Sequence, residues 1–321
     1  MNINFGIIGC GNISRKFAGA VNYVENANLL SVAASKKEKA EDFAHKFGAT
    51  NAYGNYDELI ADKDVDIIYI GLTNNYHYEI CKKCFASGKN VLCEKPLTLS
   101  YEQTKELCEI AKSNNVLFME AMWTRCLPAY KQAKSWADGG KIGKITTIDA
   151  DFCFVEERNE NSRLFNKELG GGALYDLGVY AIDFAIGIMN KKPIDVNSMI
   201  QIGSTDVDEY SAITMKFDDD VIAALKVGIR ASKPVVAKIH GDKGYIIVDD
   251  FYAARDCYLY NNNNELIDTL HDDIENGFVY EVKHVMEMFS TKKNESWLMP
   301  LKDTIYCSKL ISDCLNEKES K

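Results

Sequence analysis

Asn4-Phe5-Gly6-Ile7-Ile8-Gly9-Cys10-Gly11-Asn12-Ile13-Ser14 is the stretch on which the fold turns. A short β-branched run ends at Ile8 and passes at once into a turn of the form G-x-G-x-x-S, after which residues 15–24 read as a helix. Alone, such a turn is a weak signal. After a strand, at the opening of a helix and at the start of a βαβ unit, it is the fingerprint of dinucleotide binding. Glycines let the backbone approach a pyrophosphate, and the helix N-terminus supplies N–H donors and positive potential. Gly9, Gly11, Asn12 and Ile13 are the candidate contacts, and Ser14 is small enough to keep helix and strand close.

Outward from that turn, strand and helix signals alternate. Strands are expected at 4–8, 29–34, 51–53, 66–71, 90–94 and 117–120, and helices at 15–24, 37–47, 56–61, 76–87 and 100–114. Ser100 with Gln103 reads as a capping box. Such alternation implies a doubly wound parallel sheet covered on both faces, a Rossmann domain over residues 1–121. Past it the pattern changes. A helix at 128–138 ends at Gly139-Gly140, and a strand at 145–154 alternates in period two. A long helix at 173–189 follows Gly170-Gly171-Gly172. Six strand-like runs then follow between 194 and 260, and helices are expected at 278–290 and 301–314. Residues 122–321 therefore read as a second α/β domain with an open, mostly antiparallel sheet, serving substrate binding and dimerisation. The helix at 301–315 is a candidate to pack back on the first domain.

Of 321 residues, Lys plus Arg number 37 and Asp plus Glu 47, a net charge of −10. That balance argues against a nucleic-acid surface, which needs a basic footprint. No uninterrupted apolar run is long enough to span a bilayer, and the apolar start lacks the basic region and cleavage site of a signal peptide. The ten cysteines are scattered and read as reduced thiols in a cytoplasmic protein. The pair Cys81 and Cys84 has no second pair and reads as helix packing, and no His/Cys cluster at ligand spacing suggests a metal.

At the end of the second strand, dinucleotide sites for NAD place an acid that binds the ribose 2′-hydroxyl. Here stands Ala33-Ala34-Ser35-Lys36-Lys37. A carboxylate would repel a 2′-phosphate, whereas Ser35 and Lys36 can bind one, so NADP is expected, with NAD as a second possibility. The plainer reading is two solvated lysines at a helix start. Glu94-Lys95-Pro96 follows the strand at 90–93, where residues face the ligand crevice and a Lys can donate to a substrate oxygen. Asp176 and Tyr180, spaced i and i+4 behind the glycine run, share one face of a helix. Taken alone, a buried structural pair explains them better.

Together, Gly9-x-Gly11, Glu94-Lys95-Pro96, Glu120-Ala121-Met122-Trp123-Thr124-Arg125 and Gly170-Gly171-Gly172-Ala173-Leu174-Tyr175-Asp176-Leu177-Gly178-Val179-Tyr180 resemble the Gfo/Idh/MocA oxidoreductase family over essentially the whole chain. Trp123-Thr124-Arg125 and Tyr180 are similar to its dihydrodiol and D-xylose dehydrogenase branch. The resemblance implies an NADP-dependent enzyme moving hydride between nicotinamide and a sugar or vicinal diol. Lys95, Tyr180 and Asp176 would be catalytic: Tyr180 as acid/base, Lys95 polarising the substrate oxygen, and Asp176 holding a hydroxyl or orienting its neighbours. Glu94, Lys95, Trp123 and Arg125 join the cofactor-binding set, as do Thr73, Asn74 and His77, where relatives often carry a proline. His77 reads as positioning the turn or as a simple polar residue at a helix start. Trp123 and Phe154 would line the substrate, and a homodimer or homotetramer would form through the second sheet. The alternatives are a relative acting on a cyclitol or modified sugar, and a catalytically silent NADPH-binding sensor.

Overall fold

The computed structural model describes residues 2–316, which group into two compact units. The first contains strands β1 (Ile3–Ile8), β2 (Ala27–Ala33), β3 (Asn51–Tyr53), β4 (Ile67–Ile70), β5 (Asn90–Glu94) and β6 (Phe118–Ala121). They form one parallel sheet in the order β3-β2-β1-β4-β5-β6. Helices α1 (Asn12–Tyr23), α2 (Lys37–Phe47), α3 (Tyr56–Ala61), α4 (His77–Ala86) and α5 (Tyr101–Ser113) connect them. Strand β4, Ile-Ile-Tyr-Ile, is buried throughout because a parallel sheet is covered on both faces. Phe17 of α1 stacks on Tyr69 of β4 at 3.8 Å, and each such fully buried side chain contributes roughly 1.5–3 kcal/mol. Cys81 and Cys84 lie in the same unit's core. The Ser100 hydroxyl accepts from Gln103 N–H and caps α5. The order reverses between β1 and its neighbours β2 and β4, which is where open α/β sheets bind ligands.

The second unit contains α6 (Pro128–Asp138), β7 (Ile145–Cys153), α7 (Val179–Met189), β8 (Asp195–Ile202), β9 (Asp208–Lys216), β10 (Ile222–Gly228), β11 (Val236–Gly241), β12 (Gly244–Asp249), β13 (Asp256–Asn261) and β14 (Leu266–His271). Its eight-stranded sheet runs β14-β13-β12-β11-β7-β10-β9-β8, antiparallel except between β7 and β10. Residues 261–264 read as a loop between hairpin strands, and β14 is the second of them; its residues are nearly all exposed, so no burial imposes alternation on Leu-Ile-Asp-Thr-Leu-His. Along β9 and β10, Ile213, Met215, Leu225 and Val227 are buried on the helix-covered side, while Thr214, Lys216, Ala224 and Lys226 take the other face. Those runs therefore do not make the open face apolar. Its apolar content comes from Met199, Ile222, Ile247 and the stacked pair Tyr245–Tyr260, 4.9 Å apart.

Helix α7 is buried on every side from Val179 to Ile188. An 18-residue window within Lys167–Met189 has a mean hydropathy of 1.4, enough by length and composition for a membrane span although Asp176 and Asp183 interrupt it. Its apolar residues are instead core: 83% of the window is buried. The single helix expected at 173–189 begins with a π-helical turn, Leu174–Gly178, where the 3.6-residue repeat behind the Asp176–Tyr180 pairing is widened.

Two further helices complete the chain, α8 (Phe278–Ser290) and α9 (Leu301–Asn316). Residues 276–305 group with the first unit, not with the second as the 122–321 boundary implied. The physical reason is the contact of α8 with α1: Phe278 meets Phe17 edge-on at 6.4 Å, and Asn276 Nδ2 donates to Lys16 O at 2.9 Å. Within α9, Leu301 and Ile305 join the first unit's core, and the residues from Tyr306 onward group with the second.

Candidate active site

Helix α1 starts directly after Gly11, earlier than expected, so its first N–H groups lie in the glycine turn itself. Gly9 has φ +98, and a Cβ there would stand 2.7 Å from Gly71 O. Only glycine fits so close to the neighbouring strand. Gly11 has no side-chain cap on α1, and a Cβ built on it meets nothing nearer than Gly71 O at 4.0 Å. The helix N-terminus thus opens onto space. Ser14 is fully buried, its Oγ 3.5 Å from Gly71 O, pinning helix to strand. Asn12 is exposed and Ile13 half-buried. After β4, Thr73 Oγ1 donates to Asn75, and Asn74 is buried with its Nδ2 unpartnered. A buried amide donor lacking an acceptor is costly unless a ligand supplies one. An open helix N-terminus and an orphan donor at the carboxyl ends of β1 and β4 fit a dinucleotide pyrophosphate.

Ser35 and Lys36 are exposed at the end of β2, and Lys36 is the N-cap residue of α2 without a side-chain cap bond. No acid occupies that position, although Glu38 follows in the first turn of α2. Burial pushes the Cys10 thiol up to about 11, while Arg15 and Lys39 pull it back. These two cations therefore lie close enough to act on the same corner.

The Lys95–Pro96 bond is cis. Glu94 is buried beneath the turn, accepting from Tyr69 Oη at 2.6 Å and from Lys95 N–H at 3.2 Å. Leu97 N–H donates to Glu120 at 3.0 Å. His77 is fully buried, its Nδ1 3.2 Å from Pro96 O and Leu97 O and its Nε2 3.1 Å from Leu72 O. Burial lowers its pKa below 6.5 against the pull of these carbonyls. It ties the loop after β4 to the turn after β5. Lys95 is half-buried at the tip of that turn.

In the second unit, Trp123 Nε1 donates to Tyr180 Oη at 3.3 Å. Thr124 Oγ1 donates to Tyr252 O at 2.7 Å, setting the Tyr252 ring edge-on to Tyr180 at 5.6 Å and stacked on Phe152 at 4.4 Å. Phe154, half-buried, adjoins Phe152 at 6.5 Å. Asp176 is salt-bridged to Arg163 at 2.9 Å. The outcome is an aromatic floor carrying a phenol and, nearby in sequence, a carboxylate neutralised by arginine.

Residues 3–122 match the model of the Gfo/Idh/MocA oxidoreductase family with NAD-binding Rossmann fold, and residues 130–247 match the Gfo/Idh/MocA C-terminal domain. The chain is 32% identical over 326 residues to trans-1,2-dihydrobenzene-1,2-diol dehydrogenase of Xenopus tropicalis, covering 99% of this chain and 98% of that one. This chain belongs to the Gfo/Idh/MocA oxidoreductase family. The human protein of the same name is 28% identical, covering 99% and 96%. Two solved Gfo/Idh/MocA-like folds are similar. Levoglucosan dehydrogenase in complex with NADH and levoglucosan has a TM-score of 0.87 at 22% identity, covering 99% of this chain and 97% of that one. A 3-ketoreductase from Actinomadura kijaniata in complex with NADP and TDP-benzene has a TM-score of 0.86 at 22% identity, covering 97% and 96%.

As a Gfo/Idh/MocA member the chain is an NAD(P)-binding oxidoreductase. Arg125 is 4% exposed and forked onto the buried Asp183, with Nε to Oδ2 at 2.9 Å and Nη2 to Oδ1 at 2.7 Å. Its guanidinium clamps α7. Glu94 and His77 are also buried, and both support the turn after β5. A π-turn lies at Leu174–Gly178, with Asp176 partnered by Arg163 and Tyr180 by Trp123. Tyr252, Phe152 and the Arg163 pairing were not legible in the sequence. Nothing in Asp250-Phe251-Tyr252 distinguishes a site residue from a strand-end turn. Arg15 and Lys39 could have been found, since α1 and α2 both start at the corner that Lys36 occupies.

Proposed function

We propose that this chain is an NADP-dependent dehydrogenase oxidising a secondary alcohol of a vicinal diol or sugar, with trans-dihydrodiols the first class to test. Bound nicotinamide supplies the hydride acceptor. The chain's own residues do the rest. Gly9, Gly11 and the α1 N-terminus hold the pyrophosphate, with the Asn74 amide as a further donor, while Ser35, Lys36 and Arg15 take the 2′-phosphate. Tyr180 receives the hydroxyl proton. A bond donated to its oxygen by Trp123 stabilises the phenolate that precedes transfer. Lys95 draws electron density from the substrate oxygen, and Asp176, neutralised by Arg163, holds the adjacent hydroxyl. The observation that carries this reading is the Tyr180 hydroxyl, fixed by Trp123 above a floor of Phe152 and Tyr252. A flat, largely apolar ring bearing two hydroxyls matches that surface, and a relative at 32% identity is named for such a diol.

We further propose pairing of two copies through the open sheet face carrying Met199, Ile222 and the Tyr245–Tyr260 stack, and residence in the cytoplasm, which suits ten cysteines that are all thiols. Sedimentation as a monomer at micromolar concentration would refute the pairing. An initial-rate screen of trans-dihydrodiols, aldoses and inositols with both nucleotides tests the activity. Turnover of a diol or aldose, faster with NADP, is the expected result. Tight NADPH binding without turnover of any polyol would replace the enzyme with a sensor.

A further inference from the structure

Trp123, Thr124 and Arg125 occupy one 3-10 turn, Trp123–Cys126. With three residues per turn, successive side chains leave it in three directions. Each reaches a different anchor: Trp123 Nε1 donates to Tyr180 Oη at 3.3 Å, Thr124 Oγ1 to Tyr252 O at 2.7 Å, and Arg125 Nε to Asp183 Oδ2 at 2.9 Å. Arg125 Nη2 adds Asp183 Oδ1 at 2.7 Å and Asp183 O at 3.2 Å, so both the side chain and the backbone of α7 are gripped. Gly187, one turn further on, makes room for this approach: a Cβ there would stand 3.0 Å from Arg125 Nε and Cζ. Asp183 is fully buried in a helix whose other residues, apart from Tyr180, are apolar, and it follows Tyr180 by three residues on the same side. Buried ion pairs are weak sources of stability, because desolvating two charges offsets most of their attraction. A two-pronged guanidinium–carboxylate pair supplies direction instead.

We propose that Asp183 is a positioning residue for Tyr180, acting through Arg125 to lock the Trp123–Cys126 turn against α7 so that the indole N–H meets the phenol oxygen. This rests on the reading of Tyr180 as the acceptor of the hydroxyl proton. One ion pair then fixes both the rotation of α7 and the donor that faces its phenol. Through Thr124 the same turn holds Tyr252, so the aromatic floor is set by the same device. Severing the pair frees the turn to slide along α7, and the phenolate loses the donor that stabilises it.

NMR of the indole N–H groups in the full chain, with Trp123 identified by Trp123→Phe, reads the contact without reference to turnover. Asp183→Asn is expected to shift the Trp123 resonance and to speed exchange of its indole hydrogen with solvent. The same displacement is expected in Arg125→Lys, which keeps the charge but not the fork, and this variant decides the matter where Asp183→Asn does not fold. In steady-state oxidation of a trans-dihydrodiol with NADP, Asp183→Asn should lower kcat by about tenfold, the scale of one hydrogen bond to a charged group. In a Trp123→Phe background the same substitution should change kcat by less than about twofold, because the contact it supports is already gone. Full multiplication of the two losses, or an unmoved Trp123 resonance in a folded variant with only a lower Tm, would overturn the proposal and leave Asp183 as a support of the fold. Full turnover in Tyr180→Phe would instead remove the reading of Tyr180 as proton acceptor, while the Trp123 resonance still decides whether the ion pair sets the contact.

Discussion

In the first unit the candidate ligand contacts are backbone: Gly9, Gly11 and the uncapped start of α1, adjacent in sequence. In the second they are side chains brought together from Trp123, Phe152, Tyr180 and Tyr252, far apart in sequence. A backbone cradle demands glycine at fixed spacing, so it leaves a mark that can be read. An aromatic floor demands only apolar bulk of the right shape, which core packing also uses.

If that contrast is right, damage in the second unit should fall on turnover with nucleotide binding intact. Tyr180→Phe should lower kcat by roughly 10²-fold or more, the scale of losing a positioned acid/base, with an unchanged NADP dissociation constant by fluorescence titration. Near-wild-type turnover with a lowered Tm would mean that Tyr180 is only a structural partner of Trp123. Damage in the first unit should do the reverse. Lys36→Asp should shift the ratio of NADP to NAD affinity by about tenfold or more toward NAD, through loss of a charge-assisted bond and added repulsion. Equal affinities in the native protein would break the claim. Gly9→Ala places a Cβ 2.7 Å from a carbonyl at φ +98. It should cost about 1–3 kcal/mol of stability in denaturant titration and weaken both nucleotides alike.

The same contrast explains what was legible. The parallel character of the first sheet followed from the alternation after Gly9-Cys10-Gly11 and from largely apolar strands such as Ile67–Ile70, buried on both faces. The edge strand β14 was marked only by the hairpin loop before it, because its exposed residues carry no alternation. Asp176 and Tyr180 were found by resemblance, but the turn that carries Asp176 was not, since a π-turn cannot be told from an α-turn by residue type. The burial of Arg125 was not legible because a buried guanidinium and an exposed one are the same letter. Its partner Asp183 lies inside an apolar helix, and that lone carboxylate was the available signal for a buried ion pair.

The smallest expected effect belongs to His77. Its folded pKa is depressed, so the unfolded chain binds the proton more readily and stability is lost as pH falls below 6.5 toward the folded value. Tm should decline over that window, and His77→Gln should flatten the decline. An identical pH slope in the variant would show that His77 does not contribute to it.

Deuterium transfer tests the central claim most directly. A trans-dihydrodiol or aldose carrying deuterium at the carbinol carbon is incubated with the protein and NADP, and the nucleotide is recovered for mass spectrometry and NMR. The account predicts reduced nicotinamide with deuterium at one face of its ring and a ketone or lactone product. Recovery of unreduced, unlabelled NADP from every such substrate, despite saturating binding, would contradict it.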